Sequence, residues 1–341
     1  MLKRWQFWLG IAISAVFLYL ALRGLHLGEV WQTVKTARYL WLLPGIAVYF
    51  VGVWARAWRW HYLLRPLKKI PAHTMFPIVT IGYMGNNVFV ARAGEVLRAA
   101  ILKDREGVPI SASLATVVVE RIFDAVVMLG FVFFNLGALE NLTHNSGFIG
   151  NIQQLAIWGS VIFIGALVVF LLAAMFPLVT ERIVIQIIGR VIPTRIREKT
   201  RGIALKFLTG LESLRSPKDA LMVLVTTVII WLLETGKYWF VMQGFDFQVS
   251  FFALMLMNGI VNIATTLPSA PGYIGTFDGP GIAVLAAYGV PAEIAAGYTL
   301  VLHAALWFPI TILGACYYLR QPLRWGKDLE KIKHDQETQP V

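Results

Sequence analysis

Six stretches of this 341-residue chain are apolar over about 20 residues, the length that an α-helix needs to cross a bilayer. Only 14% of the residues are charged, against about 25% in soluble domains, so lipid rather than solvated side chains must cover the surface. The sequence therefore predicts an all-α, polytopic transmembrane bundle over residues 1–320 and a charged tail at 321–341. The six predicted full spans are 5–22, 39–58, 111–136, 155–178, 220–242 and 294–318.

The basic residues are distributed unevenly between the connecting segments. Nine Lys or Arg lie in 181–218 and five in 319–341, whereas 139–152 and 244–250 hold none. Excess basic residues normally remain on the cytoplasmic side of a membrane. The pattern predicts a multi-pass protein of the cytoplasmic membrane with both termini, including the tail, in the cytoplasm.

Two further hydrophobic regions are interrupted. With this orientation, 73–110 begins and ends inside and 251–293 begins and ends outside, so each is either a re-entrant hairpin or a pair of short spans in inverted orientation. Short segments broken by Gly and Pro mark the binding site in many transporters. The breaks in the second region are Pro268, Pro271, Gly272, Gly275, Gly279, Pro280 and Gly281.

One predicted span carries three ionisable residues. Glu120 lies nine residues into 111–136, about 14 Å deep at about 1.5 Å per residue, and Asp124 follows one turn later on the same face. Arg121 lies beside them. Charges at this depth are costly and must face the bundle interior, either as a structural ion-pair network or as a functional site.

Other polar residues have two interpretations each. Glu234 and Lys237 form an i, i+3 pair within a span, where they either neutralise each other or contribute to a site. Arg92, Glu95 and Arg98 form one stripe after Asn86 and Asn87, which is explained by interfacial solvation or by function.

The remaining residues of interest are Asp278, in the second interrupted region, and His303 and Cys316, in the last predicted span. Asp278 is either a turn or N-cap carboxylate or a site residue. His303 is expected to be a packed core histidine. The single cysteine, Cys316, is expected to be inert.

Arginine and lysine inside a membrane, with carboxylates nearby, suit the phosphate of an anionic lipid, because guanidinium binds phosphate in a bidentate manner. The chain has no GxxxxGK[ST] or Rossmann motif, no His/Cys cluster with metal-ligand spacing and no GxSxG elbow. We therefore expect no cofactor, no metal, no nucleic-acid partner and no enzyme active site of a known type.

Three blocks of this sequence resemble the lysylphosphatidylglycerol synthase transmembrane region, also called the flippase-like domain family. They are Asn86-Asn-Val-Phe-Val-Ala-Arg-Ala-Gly-Glu95 with Arg98, Glu120-Arg-Ile-Phe-Asp124, and Pro268-Ser-Ala-Pro-Gly-Tyr-Ile-Gly-Thr-Phe-Asp278. The likeness covers about residues 5–320. Two positions depart from the family pattern: Val90 stands where a proline is usual, and Asp278 where Glu is usual.

The resemblance implies a lipid-translocating membrane domain without the soluble aminoacyltransferase domain of the bifunctional synthases. The expected function is to move an anionic phospholipid or lipid-linked phosphate head group between leaflets, with Arg92 and Arg98 holding the phosphate. The expected head-group cavity is formed by Asn86, Asn87, Arg92, Glu95, Arg98, Glu120, Arg121, Asp124, Glu234, Lys237, Pro271, Gly272, Gly275 and Asp278. The alternatives are a membrane enzyme acting on a lipid-linked sugar or phosphate, and a membrane scaffold for a separate glycosyltransferase or synthase.

Overall fold

The computed structural model describes residues 5–89, 93–135, 152–267 and 269–320, and within these ranges the chain is helical with no strand. The all-α prediction is confirmed. The helices are α1 (Trp5–Leu22), α2 (Leu27–Thr36), α3 (Leu42–Leu64), α4 (Ala72–Val88), α5 (Ala93–Glu106), α6 (Ile110–Phe134), α7 (Ile152–Met175), α8 (Pro177–Val191), α9 (Thr194–Thr209), α10 (Pro217–Met242), α11 (Phe251–Ala264), α12 (Asp278–Ala287) and α13 (Ala292–Arg320).

Each of the six predicted spans coincides with a helix, but length and composition alone identify fewer crossings. Within the described ranges, three helical segments are long and apolar enough to cross a membrane: Tyr39–Leu64, Pro217–Met242 and Ala292–Arg320. Two bent pairs of helices, α1 with α2 and α7 with α8, would raise the number to five. Helix α6 does not qualify by composition because its apolar sequence contains three ionisable residues.

Large apolar side chains cover the outside of the bundle, as expected for a surface that faces lipid. Trp158, Leu20, Val169 and Ile312 are each at least 60% exposed. Extended apolar surface of this kind marks a region that contacts lipid or another protein. The exposed apolar surface agrees with the polytopic membrane architecture predicted from the sequence.

The first interrupted region, 73–110, forms a helical hairpin. Helices α4 and α5 pack antiparallel, and glycines allow their backbones to approach closely. A β-carbon placed on Gly85 would lie 2.8 Å from Cα of Gly94, and one placed on Gly82 would lie 3.1 Å from Cβ of Arg98. The bend expected near Val90 lies outside the described residues.

The second interrupted region is also a hairpin, formed by α11 and α12. The two helices are joined by a segment that we call the tip loop (269–277), which contains one 3-10 turn, Pro271–Tyr273. Its backbone is left-handed at Gly272 (φ 75°), Tyr273 (φ 61°) and Gly275 (φ 81°). Helix α1 supports the loop, since Oγ of Ser14 accepts a 2.8 Å hydrogen bond from the backbone N–H of Ala270.

The tips of the two hairpins lie side by side. A β-carbon placed on Gly272 would lie 3.7 Å from the carbonyl oxygen of Asn87 and 2.7 Å from Nε1 of Trp307. The Asn87 amide also donates a 2.9 Å hydrogen bond to Oγ1 of Thr311 in α13. Helix α13 therefore holds both tips, and the polar residues at the two breaks come together.

Candidate anion-binding cavity

The two carboxylates of α6 are buried and ion-paired. Asp124 accepts from Nη1 of Arg59 at 2.6 Å and from the Trp231 indole at 3.0 Å. Glu120 is paired with Arg98 of α5, and Nε of Arg59 is 3.9 Å from its other carboxylate oxygen. One helical turn separates the two carboxylates, so a single face of α6 meets arginines from α3 and α5.

A third arginine completes this network. Nε of Arg121 lies 3.2 Å from Glu95 of α5, and its Nη1 lies 3.6 Å from Asp124. The network thus contains three arginines and three carboxylates, and its formal charge is zero. Such a balance suits a structural role, because buried charges are tolerated when each has a partner.

A second group of charges is not balanced. Glu234 of α10 is paired with Lys237 one turn away and with Nη2 of Arg56 at 2.7 Å. Two cations share one carboxylate, which leaves a formal charge of +1. The side chains of all three are at least 90% buried. Aromatic rings stabilise the cations, since Lys237 lies 4.3 Å from the centroid of Tyr49 and Arg56 lies 5.4 Å from that of Tyr83.

Arg56 has a hydrogen-bond donor that could bind a ligand. Its Nη1 is buried and has no hydrogen-bond partner among the described residues. An unsatisfied guanidinium N–H in the protein interior is costly, and an acceptor from a ligand or water would satisfy it. The group formed by Arg56, Glu234 and Lys237, which we call the cationic triad, therefore combines excess positive charge with a free donor.

The cationic triad faces a cavity of about 140 Å³ that lies between the hairpin tips. Helix α13 contributes His303, Leu306 and Trp307, which recur at helical spacing on one face. The wall is rich in aromatic rings and in amides, so the cavity can hold a polar group beside an apolar one. Its lining residues are Tyr49, Arg56, Tyr83, Asn86, Asn87, Arg121, Asp124, Trp231, Glu234, Lys237, Tyr238, Asn262, Thr265, Gly272, Tyr273, Phe277, His303, Leu306 and Trp307.

Asp278 and His303 connect the cavity to the tip loop. Nδ1 of His303 lies 2.8 Å from Oδ1 of Asp278, and Nε2 lies 2.7 Å from the carbonyl oxygen of Gly272. The other oxygen of Asp278 accepts a 2.8 Å hydrogen bond from the backbone N–H of Gly275. Asp278 thus acts as a turn carboxylate and as a hydrogen-bond partner of His303 at once.

The predicted site residues are found in three places. Asn86, Asn87, Arg121, Asp124, Glu234, Lys237 and Gly272 line the cavity. Glu95, Arg98 and Glu120 belong to the balanced network behind it, while Pro271, Gly275 and Asp278 shape the tip loop and its junction with α12. Arg92 lies outside the described residues.

The structure places Arg98 behind the cavity wall, and its phosphate-binding role stays a prediction. Arg98 is buried beneath the ring of Trp60, with its guanidinium carbon 4.6 Å from the ring centroid, and it is ion-paired with Glu120. It is not among the cavity-lining residues. Arg56 lines the cavity and presents an Nη1 that has no hydrogen-bond partner among the described residues.

Three basic residues in and around the cavity were not among the predicted site residues. Arg56 and Arg59 lie at i, i+3 inside the helix that contains the second span. This spacing is the sequence signal from which their position on one buried face could have been predicted. His303, expected to be a packed core histidine, instead bridges Asp278 and Gly272 at the cavity wall. Its partners come from a loop more than twenty residues away in sequence, so no local pattern indicates them.

The comparisons with known proteins agree with this architecture. The chain is 26% identical over 300 residues to a Haloferax volcanii protein named glycosyltransferase AglD, an alignment that covers 80% of this chain and 47% of AglD. It is also 23% identical over 294 residues to a UPF0104 membrane protein of Methanothermobacter thermautotrophicus, covering 81% of this chain and 83% of that protein. No solved structure matches the chain.

The family profile described as "Lysylphosphatidylglycerol synthase TM region" matches residues 7–314, which include every helix that contributes to the cavity. The matched range includes both hairpins and the cationic triad. It confirms the resemblance found in the sequence motifs. The chain therefore belongs to the lysylphosphatidylglycerol synthase transmembrane region family, a family of multi-pass membrane proteins.

Proposed function

We propose that this protein moves a lipid with an anionic phosphate head group between the two leaflets, and that the cationic triad binds the phosphate. The observation that carries the proposal is the charge of the triad: Arg56 and Lys237 share Glu234, and Nη1 of Arg56 has no acceptor in the part of the chain that the structure describes. An excess cation inside a membrane protein needs an anionic partner, and lipid phosphate is the abundant one.

The position of the cavity supports transport. It lies between the tips of two interrupted hairpins, an arrangement that transporters use to place a polar site away from both membrane surfaces. The aromatic residues around it can cover the part of the lipid next to the phosphate. An anionic phospholipid and a lipid-linked phosphate share this chemistry, so both are substrates to be tested.

A leaflet-resolved translocation assay in proteoliposomes tests the proposal. Fluorescent phosphatidylglycerol and a short-chain polyprenyl phosphate are compared with phosphatidylcholine, whose head group is zwitterionic. We expect the protein to accelerate translocation of one or both anionic lipids over phosphatidylcholine. Equal acceleration of all three lipids would show scrambling without head-group recognition, and no acceleration would contradict the proposal.

Arg56→Gln is the decisive variant. It removes the free donor and leaves Glu234 neutralised by Lys237, so the ion pair that remains is balanced and the fold should be retained. We expect translocation of the anionic lipid to be lost, and Arg56→Lys to restore it only in part, because lysine keeps the charge but lacks the planar fork. Arg65→Gln is the matched control, since Arg65 pairs with Asp219 and its side chain is 40% exposed.

A second candidate function rests on one comparison. The relative AglD is named a glycosyltransferase, and the aligned part is about half of its length. This favours a membrane domain that handles a lipid-linked sugar phosphate for a glycosyltransferase, either as an enzyme or as a scaffold. Turnover of a lipid-linked sugar without translocation would support the enzyme, and the absence of both activities would support the scaffold.

A further inference from the structure

The hydrogen bonds of His303 determine how many protons it carries. Both ring nitrogens face oxygen atoms that cannot both be served by a neutral imidazole, because a neutral ring has one N–H and one lone pair. Nε2 faces the carbonyl oxygen of Gly272 at 2.7 Å, and a carbonyl only accepts. Nδ1 faces Oδ1 of Asp278 at 2.8 Å, and an ionised carboxylate also only accepts.

The observed geometry therefore requires one extra proton on the pair. Either His303 is an imidazolium that donates to both oxygens, or Asp278 is protonated and donates to Nδ1 while Nε2–H donates to Gly272. In both arrangements the pair of His303 and Asp278 holds one proton more than a neutral histidine beside a carboxylate. Removal of that proton leaves a ring lone pair against an oxygen lone pair, and one of the two contacts must break.

Both contacts tie α13 to the second hairpin. Gly272 belongs to the tip loop, and Asp278 begins α12 and accepts from the backbone N–H of Gly275. The loop between them is left-handed at Tyr273, a conformation that a non-glycine residue holds only when its surroundings fix it. The bridge of His303 to Gly272 and Asp278 is one of the contacts that hold the tip loop in this conformation. Loss of the bridge would loosen the loop beside the cavity, since Gly272, Tyr273 and His303 all line the cavity.

From this geometry we infer that the pair of His303 and Asp278 is a proton-binding site that controls the position of the tip loop. When the proton is bound, the bridge closes the loop against α13. When the proton leaves to water, the bridge opens and the loop is released at the edge of the cationic triad. The inference rests on the proposed function, for which it names the proton as the coupling ion.

The other ionisable groups around the pair come from several elements. α2 packs on α13 nearer its start, where His26 lies beside Glu293, and the described parts of α1 and α11 bring no charged side chain to the pair. The groups that share its cavity are Tyr273 in the tip loop, Tyr238, Glu234 and Lys237 on α10, Arg56 and Tyr49 on α3, Tyr83 on α4, and Arg121 and Asp124 on α6. A change in charge at the pair is therefore felt by the cationic triad across the cavity.

Two variants hold the pair in opposite states. In Asp278→Asn, the amide oxygen can accept from Gly275 and the amide nitrogen can donate to Nδ1, so a neutral His303 still donates to Gly272 and the bridge persists without an extra proton. In His303→Gln, both N–H donors are on one nitrogen, which cannot reach the two oxygens that separate ring nitrogens contact in the wild type, so the bridge is open at every pH. Asp278→Asn should therefore mimic the protonated state and His303→Gln the deprotonated state.

Spin-label distances test the inference without any transport measurement. Labels are placed through Ile274→Cys in the tip loop and Phe308→Cys on α13, two exposed positions, in a background of Cys316→Ser that removes the exposed native thiol. We expect the wild-type distance distribution in proteoliposomes to shift between pH 5 and pH 9 in a single-proton transition. Asp278→Asn should keep the low-pH distribution throughout, and His303→Gln the high-pH distribution.

A wild-type distribution that does not change with pH would overturn the inference, as would an Asp278→Asn variant that shifts as the wild type does. In the translocation assay, we expect an imposed pH gradient to change the wild-type rate and to have no effect on Asp278→Asn. Lipid translocation that ignores the gradient would overturn the coupling and leave the proposed function standing. A pH-dependent loop in a protein that translocates no lipid would overturn the proposed function instead.

Discussion

Nη1 of Arg59 lies 2.6 Å from Oδ1 of Asp124, and this ion pair ties α3 to α6 in the interior of the bundle. The same Nη1 donates to Thr227 at 3.0 Å, and the Trp231 indole donates to Asp124 at 3.0 Å, so α10 joins the contact as well. Three helices thus meet at one pair of opposite charges. Both side chains are almost completely buried, so water cannot solvate the charge of either one if its partner is removed.

We expect Arg59→Leu to lower the free energy of unfolding by about 3–5 kcal/mol, since it leaves a buried carboxylate without its main partner. Unfolding in mixed detergent micelles measures this loss. Arg38→Leu is the control, because both side chains of the pair of Arg38 and Asp246 are more than 70% exposed and the pair should contribute less than about 1 kcal/mol. Equal losses for the two variants would show that burial adds nothing to the pair.

The charge of the cationic triad should set the selectivity for anionic lipids. Lys237→Gln lowers the formal charge of the triad from +1 to zero. A unit charge about 7 Å from a phosphate contributes about 2 kcal/mol at an effective dielectric constant of about 20, so the preference should fall about 10–50-fold. The measurement is the ratio of translocation rates for phosphatidylglycerol and phosphatidylcholine.

Glu234→Gln changes the same charge in the opposite direction and serves as the reciprocal test. It raises the formal charge to +2, so the anionic lipid should bind more tightly and leave more slowly. We expect a lower half-saturating lipid concentration together with a lower maximal rate. A fall in selectivity for both Lys237→Gln and Glu234→Gln would indicate that the triad is structural and does not select by charge.

The glycine contact inside the first hairpin should be sensitive to a single methyl group. A β-carbon on Gly85 would lie 2.8 Å from the backbone of Gly94, so Gly85→Ala must push α4 and α5 apart. We expect Gly85→Ala to lower the free energy of unfolding by about 1–3 kcal/mol, as overpacking does in other cores. Gly130→Ala is the control: it has open space in α6 and should be neutral or stabilising by up to about 1 kcal/mol.

The lengths of the apolar runs in the sequence predicted most of the fold. Every apolar run of about 20 residues became a helix, and the two interrupted regions became hairpins. The second hairpin turns at its Gly and Pro residues, whereas α4 continues past Pro77 and Gly85 and ends at Val88. The same reasoning placed Glu120 and Asp124 toward the interior, where the structure finds both of them. The number of crossings was harder to predict, because α6 carries charge and two pairs of helices are bent.

The site could be predicted only where its residues are neighbours in sequence. Lys237 and Glu234 share one helix, so their pairing followed from helical spacing. Arg56 joins them from α3, and its assignment depends on how α3 packs on α10, which a single sequence does not specify. His303 is an extreme case, since its partners Gly272 and Asp278 lie in the tip loop and at the start of α12, whose positions are set by tertiary contacts.

The last prediction concerns orientation. Helices α8 and α9 span most of the strongly basic segment 181–218, and the axis of α8 turns by 107° from that of α7. Along α8, Ile183 and Ile187 are exposed, which suits a helix that lies on a membrane surface with its basic groups beside anionic lipid head groups. These features predict that 181–218 faces the cytoplasm and that 139–152, which has no basic residue, faces the exterior.

In a Cys316→Ser background, a membrane-impermeant maleimide should label Ser146→Cys in intact cells and label Thr200→Cys only after permeabilisation. Labelling of Thr200→Cys from outside would reverse the orientation. The basic surface would then face the side opposite to the anionic inner leaflet, and the direction in which the cavity receives its lipid would be reversed with it.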